Sequence, residues 1–364
     1  MSPQSRQPLW LRCETKPFER RAALTPSTAR ELIKDGFTIT VERDPQRIFD
    51  DEEYETVGCT LAKHSSWPEA PVDTPIIGLK ELPISTMPLK HTHIQFAHCY
   101  KHQGGWREVL MRFHKGKGML YDLEFLQDEN GRRVAAFGYH AGFAGAAVGV
   151  FSWSKQGRIH NLEPYETEAE MITAVKNAIA GNPPRVMVMG ALGRCGRGAV
   201  DLFKAVGIPD GNILKWDIAE TAKGGPFDEI LDVDIFVNCI YLSSKIPAFI
   251  TADQISAAGP NRRLACVVDV SCDTTNPNNP LPVYSVNTNF RDPILLVPMG
   301  EGNPPLQVCS IDHLPTLLPR EASEQFSRDL LPSLKQLPTK SEAKIWKEAE
   351  VLYRRKVAEA LSQE

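Results

Sequence analysis

A short apolar run, Val186–Met189, leads into four glycines, Gly190, Gly193, Gly196 and Gly198, and then into the apolar-faced segment Ala199–Phe203. Strand, glycine turn and helix in that succession restrict the fold more than any other stretch of the chain. Glycine lets a backbone approach a pyrophosphate closely, and a helix N-terminus offers free N–H groups with a partial positive charge. The spacing is G-x-x-G-x-x-G rather than the commoner G-x-G-x-x-G, so the context has to carry the reading. A second strand, Ile213–Trp216, follows and ends at Asp217. An acid there binds the ribose hydroxyls of an adenosine and repels a 2′-phosphate, which favours NAD over NADP. The alternative is a plain strand–turn–helix corner whose glycines serve packing.

The rest of the chain repeats this grammar. Apolar runs at Leu9–Arg12, Phe37–Val41, Thr74–Lys80, His93–His98 and Met119–Glu124 alternate with helical stretches after Thr25, at Asp50–Gly58 and at Trp106–Phe113. Alternation of this kind predicts a parallel, doubly wound sheet. The first ~130 residues therefore form an α/β unit of their own, without a glycine fingerprint. Helices are expected over 137–153 and 165–180. Further strands are expected at 234–239, 264–270 and 294–297, and a charged helix at 341–361. A chain of 364 residues, 42% hydrophobic and 24% charged, suits two soluble domains. A net charge of −4 argues against a general nucleic-acid binder. No run is long enough to span a bilayer, no apolar leader opens the chain, and Leu361–Glu364 does not form a peroxisomal signal. A cytoplasmic protein is the expectation. Eight cysteines without a C-x-x-C pair point to buried thiols rather than a zinc ribbon.

Ligands of open α/β sheets sit beyond the carboxyl ends of the strands. Lys80 and His98 fall at two such ends. Both can exchange protons with a substrate, the histidine near neutrality and the lysine when desolvated or crowded by cations. A solvated lysine and a core-edge histidine are the alternatives. His91, His93 and His98 lack a completing Cys or carboxylate pattern, so no metal site is expected. Arg20–Arg21 and Arg132–Arg133 suit bidentate recognition of carboxylates, or else form a solvated basic face.

Twelve segments bring these residues together in a resemblance. They are Glu14–Pro17, Arg21–Pro26, Ile76–Glu81, His93–Lys101, Tyr121–Phe125, Gly131–Gly138, Gly190–Gly196, Asn212–Asp217, Asn238–Leu242, Val268–Ser271, Asp273–Pro277 and Ile311–Pro315. On these motifs, which run through nearly the whole chain, the sequence resembles the NAD-dependent, lysine-forming saccharopine dehydrogenases of fungi, similar in fold to alanine dehydrogenase and transhydrogenase. The resemblance implies two doubly wound Rossmann-like domains with parallel sheets and a cleft between them. A discontinuous substrate-binding domain would take residues 1–137 and 320–364, and an NAD-binding domain residues 138–319.

It also implies a reaction: L-saccharopine, NAD and water give L-lysine, 2-oxoglutarate and NADH, the last step of lysine biosynthesis by the aminoadipate route. By resemblance Lys80 takes the proton of the secondary amine, and His98 serves imine hydration and collapse. Glu81 and Glu124 tune both. Arg21, Lys101, Gln103, Arg132, Arg133 and Phe137 line the substrate, with His102 and Gly104 flanking Gln103 as a local departure. Gly190, Gly193, Arg194, Gly196, Asp217, Thr221, Tyr241, Val270, Ile311, Asp312, His313 and Leu314 meet the cofactor. The partners are small molecules, with no nucleic acid or membrane, and the protein is expected to be a monomer. Cys195 in the glycine turn and Cys239 at a strand end of the same sheet converge, as a disulfide or as two thiols. An alanine-dehydrogenase-like enzyme and a catalytically silent NAD sensor are the rival readings.

Overall fold

A computed structural model describes residues 7–242, 244–272, 274 and 278–362. Of the Asp273–Pro277 motif, all but Thr274 lies outside the described residues. The chain divides into two compact units, Met1–Ala136 with Pro319–Glu364, and Phe137–Leu318.

The first unit holds β1 (Gln7–Leu11), β2 (Phe37–Glu42), β3 (Thr60–Ala62), β4 (Ile76–Ile77), β5 (Thr92–Gln95) and β6 (Met119–Asp122). They lie in the order β3-β2-β1-β4-β5-β6, and every pairing is parallel. The chain winds outward from β1 to β3, then returns to the other side of β1 for β4. The carboxyl ends of β1 and β4 therefore flank a topological switch point, where such sheets bind ligands. β2 shows why these runs are strands: Phe37, Ile39 and Val41 are buried while Thr38 between them is exposed. The first helix, Pro26–Lys34, starts with Pro26 in its opening turn and a reciprocal Thr25–Thr28 cap. The chain's last two helices, Pro319–Leu334 and Lys344–Leu361, complete this unit. Ser323 and Ser327 accept the N–H groups of Ala22 and Thr25 at 2.9 and 3.2 Å. Tyr353 and Val357 join Phe113 and Leu120 in the core.

The second unit holds β7 (Val186–Met189), β8 (Ile213–Trp216), β9 (Ile235–Asn238), β10 (Cys266–Asp269), β11 (Leu295–Val297) and β12 (Leu306–Cys309). Their order is β11-β12-β10-β9-β7-β8. β7 is buried at all four positions, which is why it reads as an unbroken apolar run. Two features differ from expectation. β12 goes unnoticed in the sequence because Gln307 interrupts its apolar run and it follows the turn-rich Gly300–Pro305. β11 pairs antiparallel with β12, so this sheet is parallel except at one edge.

The helix Gly138–Ser154 is buried nearly all round and lies across this sheet and the helix Arg194–Ala205. Glycines permit the close approach. A Cβ on Gly142 would lie 1.9 Å from the Cys195 carbonyl, and one on Gly198 would lie 1.9 Å from that of Tyr139.

Candidate active site

In the first unit the ionisable side chains gather on loops beyond the carboxyl ends of β1, β4, β5 and β6. β4 ends at Ile77 and β5 at Gln95, so Lys80 and His98 sit on loops rather than on the strands themselves. His98 has φ +50°, a left-handed conformation uncommon for a residue with a Cβ. Such conformations persist where the surroundings enforce them, often at functional sites.

Lys80 is largely buried, its side chain 19% exposed. Its ammonium lies 3.9 Å from a carboxylate oxygen of Glu19. Arg21 grips the same carboxylate with a fork, Nε to Oε1 at 2.8 Å and Nη2 to Oε2 at 2.7 Å. Burial, the Arg21 charge and Lys16 push the Lys80 pKa below its ordinary value, while Glu19 and Glu81 oppose the shift. Burial raises the Glu19 carboxyl, but Arg21 and Lys80 outweigh it and hold Glu19 below the usual carboxylate range.

Glu81 accepts from Lys16 at 2.8 Å and lies 3.7 Å from the Nε2 of His98. Glu124 accepts from Lys101 at 2.7 Å and from Arg133 at 3.4 Å. Of the two acids expected to tune Lys80 and His98, Glu81 neighbours His98 and also bears on Lys80, whereas Glu124 holds two other cations. Glu19 and Lys16 were assigned no role from the sequence. Their only signal is the charge density of the loop after β1.

Gln103 accepts the Lys101 N–H at 2.9 Å through Oε1, and its neighbour His102 reaches Glu359 at 3.3 Å. Arg132 and Arg133 lie beside a turn at Gly131, whose φ of +72° suits glycine. Beneath these loops Asp122 accepts the N–H groups of Ala97 at 3.3 Å and Glu124 at 2.9 Å. Burial pushes its carboxyl up to about 7. Phe137 belongs to the second unit, as the cap of the helix Gly138–Ser154. His91 and His93 are core residues: His91 Nε2 lies 2.9 Å from the Ala70 carbonyl, and His93 packs edge-on to Trp67 and Phe113. Among the described residues no cluster of His, Cys, Asp or Glu could hold a metal ion.

The second unit builds its corner between β7 and the helix Arg194–Ala205. Gly190 has φ +84°, and Gly193 caps the helix. A Cβ on Gly196 would lie 2.1 Å from the Gly190 carbonyl, so the turn closes only with glycine there. The first-turn N–H groups of the helix have no acceptor within it, as at any helix start. Asp217, just past β8, accepts the Leu192 N–H and the Ile218 N–H, each at 2.9 Å. Thr221 donates to the Asp217 carbonyl at 2.8 Å. These features fit a dinucleotide: a glycine cradle, a helix N-terminus and an acid tied to the turn at Leu192.

Past β9 and β10, Asp269 holds the loops that carry Tyr241 and Val270. It accepts from Asn238 at 3.0 Å and Tyr284 at 2.5 Å, and Ser271 donates to the Ile240 carbonyl at 2.8 Å. Tyr241 is exposed. Ile311 and Leu314 are buried in the core, Asp312 lies 3.9 Å from the Cys272 thiol, and His313 packs edge-on to Phe290. Cys195 and Cys239 are neighbouring free thiols, with no disulfide between them. The Cys239 thiol is pushed well above its ordinary value by its hydrogen bond with Cys195 and by burial.

Two open α/β units, one with a dinucleotide corner, define an NAD-dependent oxidoreductase of the alanine dehydrogenase fold. The family described as "Alanine dehydrogenase/PNT, N-terminal domain" matches residues 10–144. A solved L-alanine dehydrogenase aligns over 96% of this chain and 94% of its own, with a TM-score of 0.65 and 16% identity, a likeness of fold. Saccharopine dehydrogenase (NAD(+), L-lysine-forming) of Yarrowia lipolytica is 56% identical over 357 residues, 95% of this chain and 96% of that protein. Its namesake from Schizosaccharomyces pombe is 56% identical over 358 residues, covering 95% and 97%. The chain belongs to the family of NAD-dependent, L-lysine-forming saccharopine dehydrogenases. No helix among the described residues is long and apolar enough to cross a membrane.

Proposed function

We propose that Lys80 and His98 carry the proton transfers by which this oxidoreductase converts L-saccharopine, NAD and water to L-lysine, 2-oxoglutarate and NADH. The first unit binds the amino-acid substrate and the second binds NAD. NAD, when bound, supplies the acceptor for the hydride that leaves the carbon beside the secondary amine. Lys80 takes the proton of that amine as the imine forms. A base must be neutral at the start, and the depressed Lys80 pKa serves that need. His98 takes a proton from the water that adds to the imine carbon, while Lys80 gives its proton back to the imine nitrogen. As the carbinolamine collapses, His98 protonates the departing amine and Lys80 takes the hydroxyl proton, releasing lysine and the keto acid.

Lys101, Arg132 and Arg133, with the Arg21–Glu19 pair behind Lys80, orient the three substrate carboxylates, and Gln103 and Phe137 contribute to the same role. Glu81 sets the charge around His98, and Glu124 that around Lys101 and Arg133. In the second unit Gly190, Gly193, Arg194 and Gly196 would hold the pyrophosphate and Asp217 the ribose. Thr221, Tyr241, Val270 and the Ile311–Leu314 stretch would hold the rest. On the same reading the enzyme works as a monomer in the cytosol. Sedimentation at working concentration tests the monomer.

The observation that carries the mechanism is the depressed, partly buried Lys80 on the loop after β4, with His98 on the loop after the neighbouring parallel strand β5. The test is kcat against pH for wild type, Lys80→Met and His98→Gln. Loss of one proton-transfer group should lower kcat by about 10²–10⁴-fold with NAD binding retained. Near-wild-type kcat with an unchanged profile in both variants would reduce the two residues to structural ones.

A further inference from the structure

Glu14 opens the first family motif, yet the reaction gives it no work. It is fully buried, with its side chain 5% exposed against 1% for its neighbour Arg12. Its Oε1 accepts the N–H of Leu79 at 2.6 Å, and its Oε2 accepts the N–H of Lys80 at 3.0 Å. Arg12 reaches Glu14 Oε2 through Nη1 at 3.3 Å. Its Nη2 donates to the carbonyl of Lys80 and to Gln95 Oε1, the latter at 3.3 Å. One acid and one guanidinium, both on the stretch leaving β1, therefore hold the amide N–H and the carbonyl of Lys80.

The strand ladder does not do this work. β4 ends at Ile77, and the last ladder bonds are Gly78 N–H to Ile94 and Phe96 N–H to the Leu79 carbonyl. Gly78 makes room for the clamp, since a Cβ there would lie 2.3 Å from Arg12 Nε. A buried ion pair adds little net stability over apolar residues of the same volume, because desolvation offsets its attraction. Its distinctive product here is a fixed backbone at residue 80.

We infer that Glu14, braced by Arg12 across Gly78, is a positioning residue that sets where the Lys80 amine stands. The inference rests on the reading of Lys80 as the base. A displacement of about 1 Å at a reacting group can cost a hundredfold in rate. Glu14→Gln keeps the shape but turns one oxygen into a donor, so the N–H of Leu79 or of Lys80 loses its acceptor. It should lower kcat about 10- to 100-fold and move the pH limb that belongs to Lys80, with the NAD dissociation constant within about twofold of wild type.

The experiment is a double-mutant cycle of Glu14→Gln with Lys80→Met, read as kcat against pH. In the Lys80→Met background Glu14→Gln should change kcat by less than about twofold, because the group it positions is gone. An equal fractional loss in both backgrounds, or an unchanged kcat and profile in the otherwise wild-type enzyme, would overturn the inference while leaving Lys80 as the base. Near-wild-type kcat in Lys80→Met alone would remove the base assignment first, and the inference with it. Should Glu14→Gln fail to fold, Gly78→Ala displaces the Arg12 brace with Glu14 intact and is held to the same two backgrounds. Glu14→Asp, which keeps the charge but is one methylene short, should fall between Gln and wild type in kcat.

Discussion

Gly198→Ala should loosen the second unit and weaken NAD binding together. The added Cβ would stand 1.9 Å from the Tyr139 carbonyl, whereas ordinary contact begins at 3.4 Å. The helices Gly138–Ser154 and Arg194–Ala205 would have to part by about 1.5 Å to restore van der Waals distance. Both are packed into one core, and the obstacle is backbone rather than a flexible side-chain tip. Overpacking of this kind costs about 3 kcal/mol at the upper end. Alanine recovers about 1 kcal/mol of helix propensity, which leaves a net loss of about 2 kcal/mol.

For a unit of this size that loss lowers Tm by about 4–8 °C. The same displacement moves the helix N-terminus that opens onto the glycine turn. One charge-assisted hydrogen bond to a phosphate is worth about 1.5–3 kcal/mol, so NAD affinity should fall at least about tenfold. Thermal melts and calorimetric NAD titration read both effects. Gly211→Ala is the control, because nothing lies within 4 Å of a Cβ there. If Gly198→Ala melted within a degree of wild type and bound NAD equally well, the close crossing of the two helices would be wrong.

Asp217→Ser should lower kcat/KM for NAD and narrow its preference over NADP, since the substitution removes the charge and the acceptors that tie the turn at Leu192. Equal use of NADP by the wild type would remove the residue from cofactor selection. His93→Phe should gain stability relative to wild type as pH falls. Burial holds the His93 pKa well below 6.5, so the unfolded chain binds a proton that the folded one refuses. The stability tied to neutral His93 is present above the unfolded pKa and is lost as pH drops below it, at up to about 1.4 kcal/mol per pH unit. Urea midpoints of both proteins at pH 7.5 and 5.5 measure the difference. A gap that does not change with pH would mean His93 is hydrated or paired.

What was legible in the sequence follows the range of the physics. Runs such as Val186–Met189 and the alternation in Phe37–Val41 announce themselves because burial acts residue by residue. β12 did not, because Gln307 interrupts its apolar run. Lys80, His98 and Asp217 stand out as candidates because a strand's carboxyl end is a place a sequence can mark. Their partners do not. Glu19 beside Lys80 and Asp122 beneath Ala97 are set by which strands lie side by side, and the order β3-β2-β1-β4-β5-β6 is absent from any local pattern.

Glu14 sharpens that difference. Its neighbours in the chain, Cys13 and Thr15, say nothing of Leu79, 65 positions away, whose amide it holds. An acid met in a charged loop reads as solvated, and only the parallel pairing of β1 with β4 turns it inward. The crossover from β3 back to β4 brings the end of the first strand against the backbone that bears the lysine. The same crossover creates the switch point at which a ligand can sit. Topology thus supplies both the switch point and the buried acid that holds the backbone of Lys80. Moving Glu14 one position along the stretch after β1 would carry its carboxylate away from the N–H groups of Leu79 and Lys80. Lys80 would stay in the sequence motif but lose the clamp on its backbone.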